Sequence, residues 1–196
     1  MKNLFKYILV SVFISVAFSC SDSEALIDQV LDSVDTESGV VLRTVQKPQD
    51  LVSLTNPTNN VIMLTVEVQE GNGSSLPDFK EVRAYVDLYK DQDLTLPLLD
   101  ANENEIGERI LATYSSSEFL IDANNLPRIS LEIPTQSVKD TYPENAVYTV
   151  PTFIALRFEV EMNDGRVFTN VDLGASVTGG SYFGSSFLYR IIFVPF

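Results

Sequence analysis

The chain has 196 residues, with 27 acidic and 13 basic side chains, a single cysteine, and neither histidine nor tryptophan. Without histidine it lacks the Ser-His-Asp and Cys-His catalytic arrangements and the usual zinc sites, and one cysteine excludes an intramolecular disulfide. The formal net charge of −14 repels nucleic acid, so we expect no nucleic-acid partner.

Residues 1–19 have the three-part pattern of a secretory signal, in which two lysines precede an apolar run and small residues follow it. The apolar run, residues 7–18, is too short to cross a bilayer, which needs about 20 apolar residues. It ends at Ser19 and Cys20. A lone cysteine directly after a small residue at this position resembles a bacterial lipobox, whose thiol is acylated before the signal is cut. We therefore expect lipid on Cys20, and the alternative is ordinary cleavage near Ser19 that leaves a free thiol.

Residues 20–39 form an acidic segment without a basic side chain. Their composition favours a tether that holds the following domain away from the lipid. Apolar residues at helical spacing, among them Leu26, Val30 and Val34, leave a short amphipathic helix as the alternative. The stretch Ser21-Asp22-Ser23-Glu24 resembles the surface-export signal of Bacteroidota lipoproteins.

From residue 40 onward, apolar and polar residues alternate with a period of two, as in strands with one buried face. The clearest runs contain Ile62 to Val68, Val82 to Leu88, Ile129 to Ile133 and Ile154 to Met162, and shorter apolar runs contain Val40 to Val45, Arg109 to Tyr114, Val167 to Val171 and Phe187 to Val194.

Turn residues separate these runs, and Asn163-Asp164-Gly165 is the strongest hairpin signal. We expect no helix after residue 39. Seven or eight strands without strand–helix alternation predict that residues 40–196 form an antiparallel, immunoglobulin-like β-sandwich of the all-β class. A closed barrel is the alternative.

Two groups of aromatic residues are candidate ligand surfaces. Tyr182 and Phe183 lie in a stretch of glycine and serine, where they present a stacking surface to a sugar or plug the end of the sandwich. Tyr85 and Tyr89 share the outer face of one predicted strand, either as a binding strip or as cross-strand packing.

Carboxylates are the remaining source of chemistry. Glu159 and Glu161 share a face of one strand, which a glycosidase pair requires, although a solvated outer face beside Arg157 is favoured. The segment Asp100 to Glu108 starts like a calcium loop but has Glu105 and Leu111 where glycine and glutamate are required. We therefore expect no enzyme activity, no cofactor and no bound metal.

The layout of lipobox, acidic start, tether and small all-β domain is similar to the accessory surface lipoproteins of Bacteroidota. The resemblance implies an outer-membrane protein that is anchored through Cys20 and faces outward. It also implies a non-enzymatic binding or accessory role, with glycan or an outer-membrane nutrient-receptor complex as the partner. No glycan-binding motif of that group matches any position here. A structural or adhesion protein that assembles with envelope proteins by strand pairing is the alternative.

Overall fold

The structure is a computed structural model that describes residues 39–53, 55–57, 60–71, 76–174 and 187–194. Residues 38–196 form one compact unit. Cys20, Tyr182 and Phe183 lie outside the described residues. Within the described ranges, no helix has the length and apolar character needed to cross a membrane.

Ten strands lie in the described residues, together with one short α-helix and two single turns of 3₁₀-helix. The helix α1 spans Thr135–Asp140, and the 3₁₀ turns span Ser116–Glu118 and Asn170–Asp172. The strands are β1 (Val40–Gln46), β2 (Leu51–Ser53), β3 (Val61–Glu70), β4 (Phe79–Tyr89), β5 (Arg109–Ser115), β6 (Leu120–Ile121), β7 (Pro127–Pro134), β8 (Thr152–Met162), β9 (Val167–Phe168) and β10 (Leu188–Val194).

The alternation in the sequence produces the burial pattern of the strands. In β4, the inward residues Val82, Ala84, Val86 and Leu88 are fully buried, while the polar residues between them are partly exposed. A fully buried aliphatic side chain contributes about 1.5–3 kcal/mol. Because a one-residue slip would exchange the two faces, this pattern specifies the register of each strand.

The strands form two sheets. Sheet A has the order β1-β3-β7-β6 and is antiparallel throughout, and sheet B has the order β2-β10-β8-β4-β5, with β9 also paired to β8. In sheet B, only the pairing of β2 with β10 is parallel among the described strands. Buried residues of both sheets belong to one hydrophobic core, so the sheets pack face to face around a shared interior.

We call the two ends of the sandwich the near pole and the far pole. The described chain begins at the near pole, where the ends of several strands meet. There Gly71 N–H donates to Gly39 O at 2.9 Å, and Asn163 N–H donates to Asp78 O at 3.1 Å. At the far pole, the other end of β3 pairs with the end of β7, where Val61 faces Pro134. Helix α1 follows Pro134 directly, so α1 and the loop that leads from it to β8 lie at the far pole. The ten residues of β3 separate the poles by about 30 Å.

The all-β class is confirmed, and so is the hairpin at Asn163-Asp164-Gly165, which joins β8 to β9. Met162 N–H donates to Arg166 O at 2.8 Å across this turn, and Gly165 has a φ of +90°. The ten strands exceed the predicted seven or eight because β2 and β6 have only three and two residues, too few to show alternation.

The expectation of no helix after residue 39 is wrong. Helix α1 follows Pro134 directly and buries only Thr135 and Val138, three positions apart. Six residues give too few apolar positions for a helical period to appear in the sequence. The predicted run from Val167 to Val171 also divides into the two residues of β9 and a 3₁₀ turn.

Candidate functional site

The predicted tyrosine strip, Tyr85 and Tyr89, lies on the outer face of sheet B. Both residues are partly exposed, and so are Asp87, which lies between them on this face, and Arg83, which lies beside Tyr85. The alternation of polar and apolar residues in β4 predicts this exposure. Tyr85 faces Arg157 of β8 in the register, and Tyr89 faces Phe153. The strip therefore exists as a surface feature, and its neighbours decide how much of it is available to a ligand.

The ring of Tyr85 is covered by a guanidinium group. The Cζ atom of Arg157 lies 4.5 Å from the ring centroid, which is a cation–π contact. Arg157 is in turn held by both carboxylate oxygens of Glu108, at 2.7 and 2.6 Å, and by Glu159 at 2.8 Å. One face of Tyr85 is thus occupied by a residue that two carboxylates fix in place.

The hydroxyl group of Tyr89 is also engaged. It donates to Asp87 Oδ2 at 2.8 Å, and Asp87 Oδ1 accepts from Leu88 N–H at the same distance. Burial raises the pKa of Asp87, and burial followed by the hydrogen bond to Asp87 raises the pKa of Tyr89. The hydrogen-bonding groups of this pair are therefore engaged with each other and with the backbone of β4.

The carboxylates Glu159 and Glu161 do share one face of β8, and both are held by arginine. Arg157 donates to Glu159, and Arg83 pairs with Glu161 and lies 3.6 Å from Glu159. Lys80 also donates to Glu161, at 2.7 Å. These ion pairs link β4 to β8 and occupy both carboxylates with cations.

In the acidic loop that begins at Asp100, the Asp100 carboxylate hydrogen-bonds the backbone of the loop itself. Asp100 Oδ1 accepts from the backbone N–H groups of Asn102 and Asn104 at 2.8 and 2.9 Å. These amides lower the pKa of Asp100. Among the residues that the structure describes, no group of three or more His, Cys, Asp or Glu side chains is arranged to hold a metal ion.

A groove at the far pole, which the sequence did not point to, is the larger of two cavities considered as candidate sites. Its volume is about 500 Å³, within the range of about 300–1,000 Å³ that is usual for ligand pockets. It lies between α1 and the loop that leads to β8. The residues that line it are Gln136, Lys139, Asp140, Tyr142, Pro143, Glu144, Ala146 and Tyr148.

Hydrogen bonds to the sandwich hold both walls of this groove. The buried Thr135 at the start of α1 donates from Oγ1 to Pro57 O at 2.6 Å. The hydroxyl of Tyr142 donates to Val86 O of β4 at 3.0 Å, and only 6% of Tyr142 is exposed. Tyr142 therefore serves as a fixed base for the groove, and its hydroxyl is not available to a ligand.

The accessible chemistry of the groove surrounds Tyr148, whose ring is partly exposed. Lys139 Nζ lies 5.9 Å from the centroid of this ring. Gln136 Nε2 donates to Asp140 Oδ1 at 2.6 Å, which leaves Asp140 Oδ2 as an acceptor. Burial, and then the negative charge of Asp140, raises the pKa of Tyr148, so its hydroxyl remains a donor.

A second cavity, of about 320 Å³, lies near the other pole beside β6 and β7. Arg128 is the only cationic residue in its lining, and both Glu67 and Asp122 already bind this arginine, at 2.8 and 2.6 Å. Asp122 Oδ1 accepts from the backbone N–H of Leu126 at 2.9 Å. Because its cation is committed to two carboxylates, this cavity offers less to a ligand than the far-pole groove.

No spacing rule could have located the groove in the sequence. Its residues come from a six-residue helix and an irregular loop, and neither has a motif. The one available signal was the pair of tyrosines, Tyr142 and Tyr148, in a stretch bounded by Pro134 and Pro151.

Comparison with known proteins gives no relative from which residue roles could be carried over: no protein family, no curated protein and no solved structure matches the chain significantly.

Proposed function

We propose that this chain is a non-enzymatic surface lipoprotein of a bacterial outer membrane, anchored through lipid on Cys20, and that it captures glycans in the groove at its far pole. The anchor follows from the lipobox-like residues Ser19 and Cys20. The tyrosine strip on sheet B and the pair Tyr182 and Phe183 are further ligand surfaces in this proposal, or contacts for an outer-membrane receptor complex.

The position of the groove within the domain supports this role. The described chain begins at Gly39, at the near pole, and the groove is about 30 Å away at the other end of β3. The 19 steps from Cys20 to Gly39 (39 − 20 = 19) span up to about 60 Å when extended. A tether of that reach leaves a groove at the pole away from Gly39 accessible to extracellular polymers.

The strand order supports the finer proposal that the sandwich is immunoglobulin-like. Sheet A, β1-β3-β7-β6, corresponds to the A-B-E-D order of that fold, and β10-β8-β4-β5 of sheet B corresponds to G-F-C with one added strand. The additional strand β2 lies beyond β10. A fold of this kind presents its loops at two ends, which are the two poles described above.

The observation that carries the proposal is the mixture of groups around Tyr148. The ring supplies an aromatic surface for the C–H face of a sugar, while Lys139, Gln136 and Asp140 supply donors and acceptors within the same groove. Glycans combine apolar ring faces with many hydroxyl groups, so they match a site in which one aromatic side chain is surrounded by polar groups.

A binding comparison between two tyrosines tests this proposal. The full chain is purified in detergent and titrated with soluble polysaccharides, together with the variants Tyr148→Ala and Tyr85→Ala. We expect Tyr148→Ala to lower the affinity about tenfold or more and Tyr85→Ala to leave it unchanged. Loss of binding in Tyr85→Ala alone would move the site to the tyrosine strip, and absence of binding to every polysaccharide would refute glycan capture.

The structural alternative, assembly by strand pairing, is favoured by a different observation. The seven-residue strand β5 lies at the edge of sheet B and pairs with β4 alone among the described strands, so its other edge has backbone groups to offer a partner strand. The start of β3 differs from β5, because the side chain of Gln49 already hydrogen-bonds the backbone of Val61 and Met63.

Site-specific photocrosslinking in cells tests the alternative. A crosslinker is placed at Thr113, an exposed position of β5, and in the control at Arg83, a partly exposed position of β4 that is paired with β5 on one side and with β8 on the other. Strand pairing predicts a discrete protein adduct from Thr113 and none from Arg83. An absence of adducts at both positions would count against assembly and leave glycan capture as the role.

A further inference from the structure

The charges in the far-pole groove bear on which glycans it accepts. The lining contains one cation, Lys139, and two carboxylates, Asp140 and Glu144. Lys139 forms no ion pair within the described part of the chain, and its ammonium group lies over the ring of Tyr148. The groove therefore has a net negative charge, and it belongs to a chain whose formal net charge is −14.

We propose that the groove selects uncharged glycans and rejects acidic ones such as polyuronates or sulfated polymers. This inference rests on the glycan capture proposed above and specifies its substrate class. An acidic polymer would bring carboxylates against Asp140 and Glu144, with a single lysine to compensate them. The net charge of the chain adds a longer-range repulsion that salt screens over about 10 Å at 0.1 M.

The pair formed by Gln136 and Asp140 supplies a reason why hydroxyl groups, rather than charges, are recognised. The hydrogen bond between them at 2.6 Å holds the amide and the carboxylate side by side. Asp140 Oδ2 accepts one hydroxyl proton, and Gln136 Oε1 accepts a neighbouring one. Two adjacent acceptors match two adjacent hydroxyl groups of a pyranose ring, and Lys139 Nζ and the Tyr148 hydroxyl donate to the oxygens that remain.

The pair also assigns a specificity role to Asp140 that differs from the role of Tyr148. Removing the ring of Tyr148 removes the stacking surface for any pyranose. Replacing the Asp140 carboxylate with an amide removes an ionic acceptor while it preserves the shape and the contact with Gln136. Asp140→Asn is therefore expected to weaken binding of an uncharged glycan and to relax the exclusion of an acidic one.

The experiment titrates the full chain with three uncharged polysaccharides (dextran, mannan and a galactan) and with polygalacturonate, at low salt and at 0.5 M salt. We expect at least one uncharged polymer to bind with an affinity that salt does not change, and polygalacturonate not to bind at low salt. In Tyr148→Ala the affinity for the uncharged polymer falls about tenfold, equivalent to about 1.4 kcal/mol. In the double variant Asp140→Asn, Glu144→Gln, polygalacturonate binding becomes measurable.

The possible failures are distinguishable. Binding of polygalacturonate to the unmodified chain at low salt overturns the selection for uncharged ligands and leaves glycan capture intact. Failure of all four polymers to bind overturns both proposals. Binding of an uncharged polymer that Tyr148→Ala does not weaken removes the groove as the site, and thermal unfolding of each variant shows whether the fold itself is preserved.

Discussion

Thr44 in β1 and Tyr189 in β10 join the two sheets through a hydrogen bond of 2.7 Å between their hydroxyl groups. Both side chains point into the shared core, where 9% of Thr44 and 3% of Tyr189 are exposed. The ring of Tyr189 also makes an edge-on contact with Phe158, with 5.8 Å between centroids. Because both hydroxyl groups are buried, this bond gives each of them a partner away from water.

The first prediction is that Tyr189→Phe destabilises the fold by about 1–2 kcal/mol. The substitution preserves the aromatic contact with Phe158 and leaves the Thr44 hydroxyl without its partner in the core. Urea unfolding measures the change in the free energy of unfolding. Tyr85→Phe, at a partly exposed position on sheet B, is the matched control and is expected to change stability by less than about 0.5 kcal/mol. Equal effects of the two substitutions would contradict the role given to the inter-sheet contact.

The second prediction concerns alkaline pH. Burial raises the pKa of Tyr189 to about 12, against an ordinary value of 10.0, and the hydrogen bond with Thr44 offsets only part of this rise. Because the folded state holds the phenolic proton more tightly, Tyr189 contributes stability that is complete below pH 10 and is lost as the pH rises from 10 to 12. Urea unfolding at pH 9, 10 and 11 should show that the free energy of unfolding falls less with pH in Tyr189→Phe than in the unmodified chain. An identical pH dependence in the two proteins would show that Tyr189 makes no such contribution.

The third prediction is that Glu67→Gln costs about 2–3 kcal/mol. Glu67 points outward from sheet A, yet its side chain is fully buried between Arg43 and Arg128, at 2.7 and 2.8 Å. Burial by itself would raise the pKa of Glu67, and hydrogen bonds from Arg128, Arg43 and Gln69 outweigh it, so the pKa lies below its ordinary value.

The carboxylate of Glu67 also makes the free energy of unfolding depend on pH in the acidic range. A lowered pKa means that the contribution of Glu67 is complete above the ordinary value of 4.5 and is lost as the pH falls below it. Glu67→Gln should therefore be less stable than the unmodified chain at pH 7, and the difference should narrow toward pH 3. A difference that is constant with pH would show that the effect of the substitution is one of packing alone.

The fourth prediction compares two glycines of the near pole. Gly165 has a φ of +90° in the turn between β8 and β9, so Gly165→Ala is expected to destabilise by about 1–2 kcal/mol. At Gly39, an added Cβ would meet Phe168 Cε1 at 3.8 Å, an ordinary contact, and Gly39→Ala should be nearly neutral. Thermal unfolding of both variants measures the difference, and a neutral Gly165→Ala would argue against the turn geometry.

The fifth prediction concerns the proposed anchor. In bacteria that process lipoproteins, the unmodified chain should incorporate a labelled fatty acid and fractionate with membranes. Cys20→Ser should abolish the label and release the folded domain. Ser21→Ala, which leaves the cysteine in place, is the control and should keep both properties. Mass spectrometry of the mature N-terminus reports the same chemistry, and an unacylated cysteine would refute the anchor.

The strand pattern was predictable from the sequence because each long strand buries one face. Alternation over β3, β4, β7 and β8 located the core, and an Asn-Asp-Gly turn located the β8–β9 hairpin. The positions of β2 and β6 were not predictable, since two or three residues carry no period and their strand conformation depends on their partners β10 and β7.

The surroundings of Glu67 and Tyr148 could not be predicted for a related reason. Alternation correctly assigns Glu67 to the outer face of β3, but its complete burial results from arginines on β1 and β7, which the register brings alongside it. The surroundings of Tyr148 depend on α1, whose short sequence shows no helical signal. The contacts of Glu67 join strands that are far apart in the chain, and a local pattern contains no information on them.

The first and last described residues lie at opposite poles, and this has a practical consequence. The described domain begins at Gly39 beside the near pole, while β10 runs in the other direction and reaches Val194 at the level of Ser53 and Thr152, beside the far pole. A cargo fused after Val194 would therefore leave the domain at the pole away from Gly39. Under the proposed anchoring through Cys20, the fold is a scaffold for presenting an enzyme or an epitope, with the sandwich acting as a spacer between the two poles.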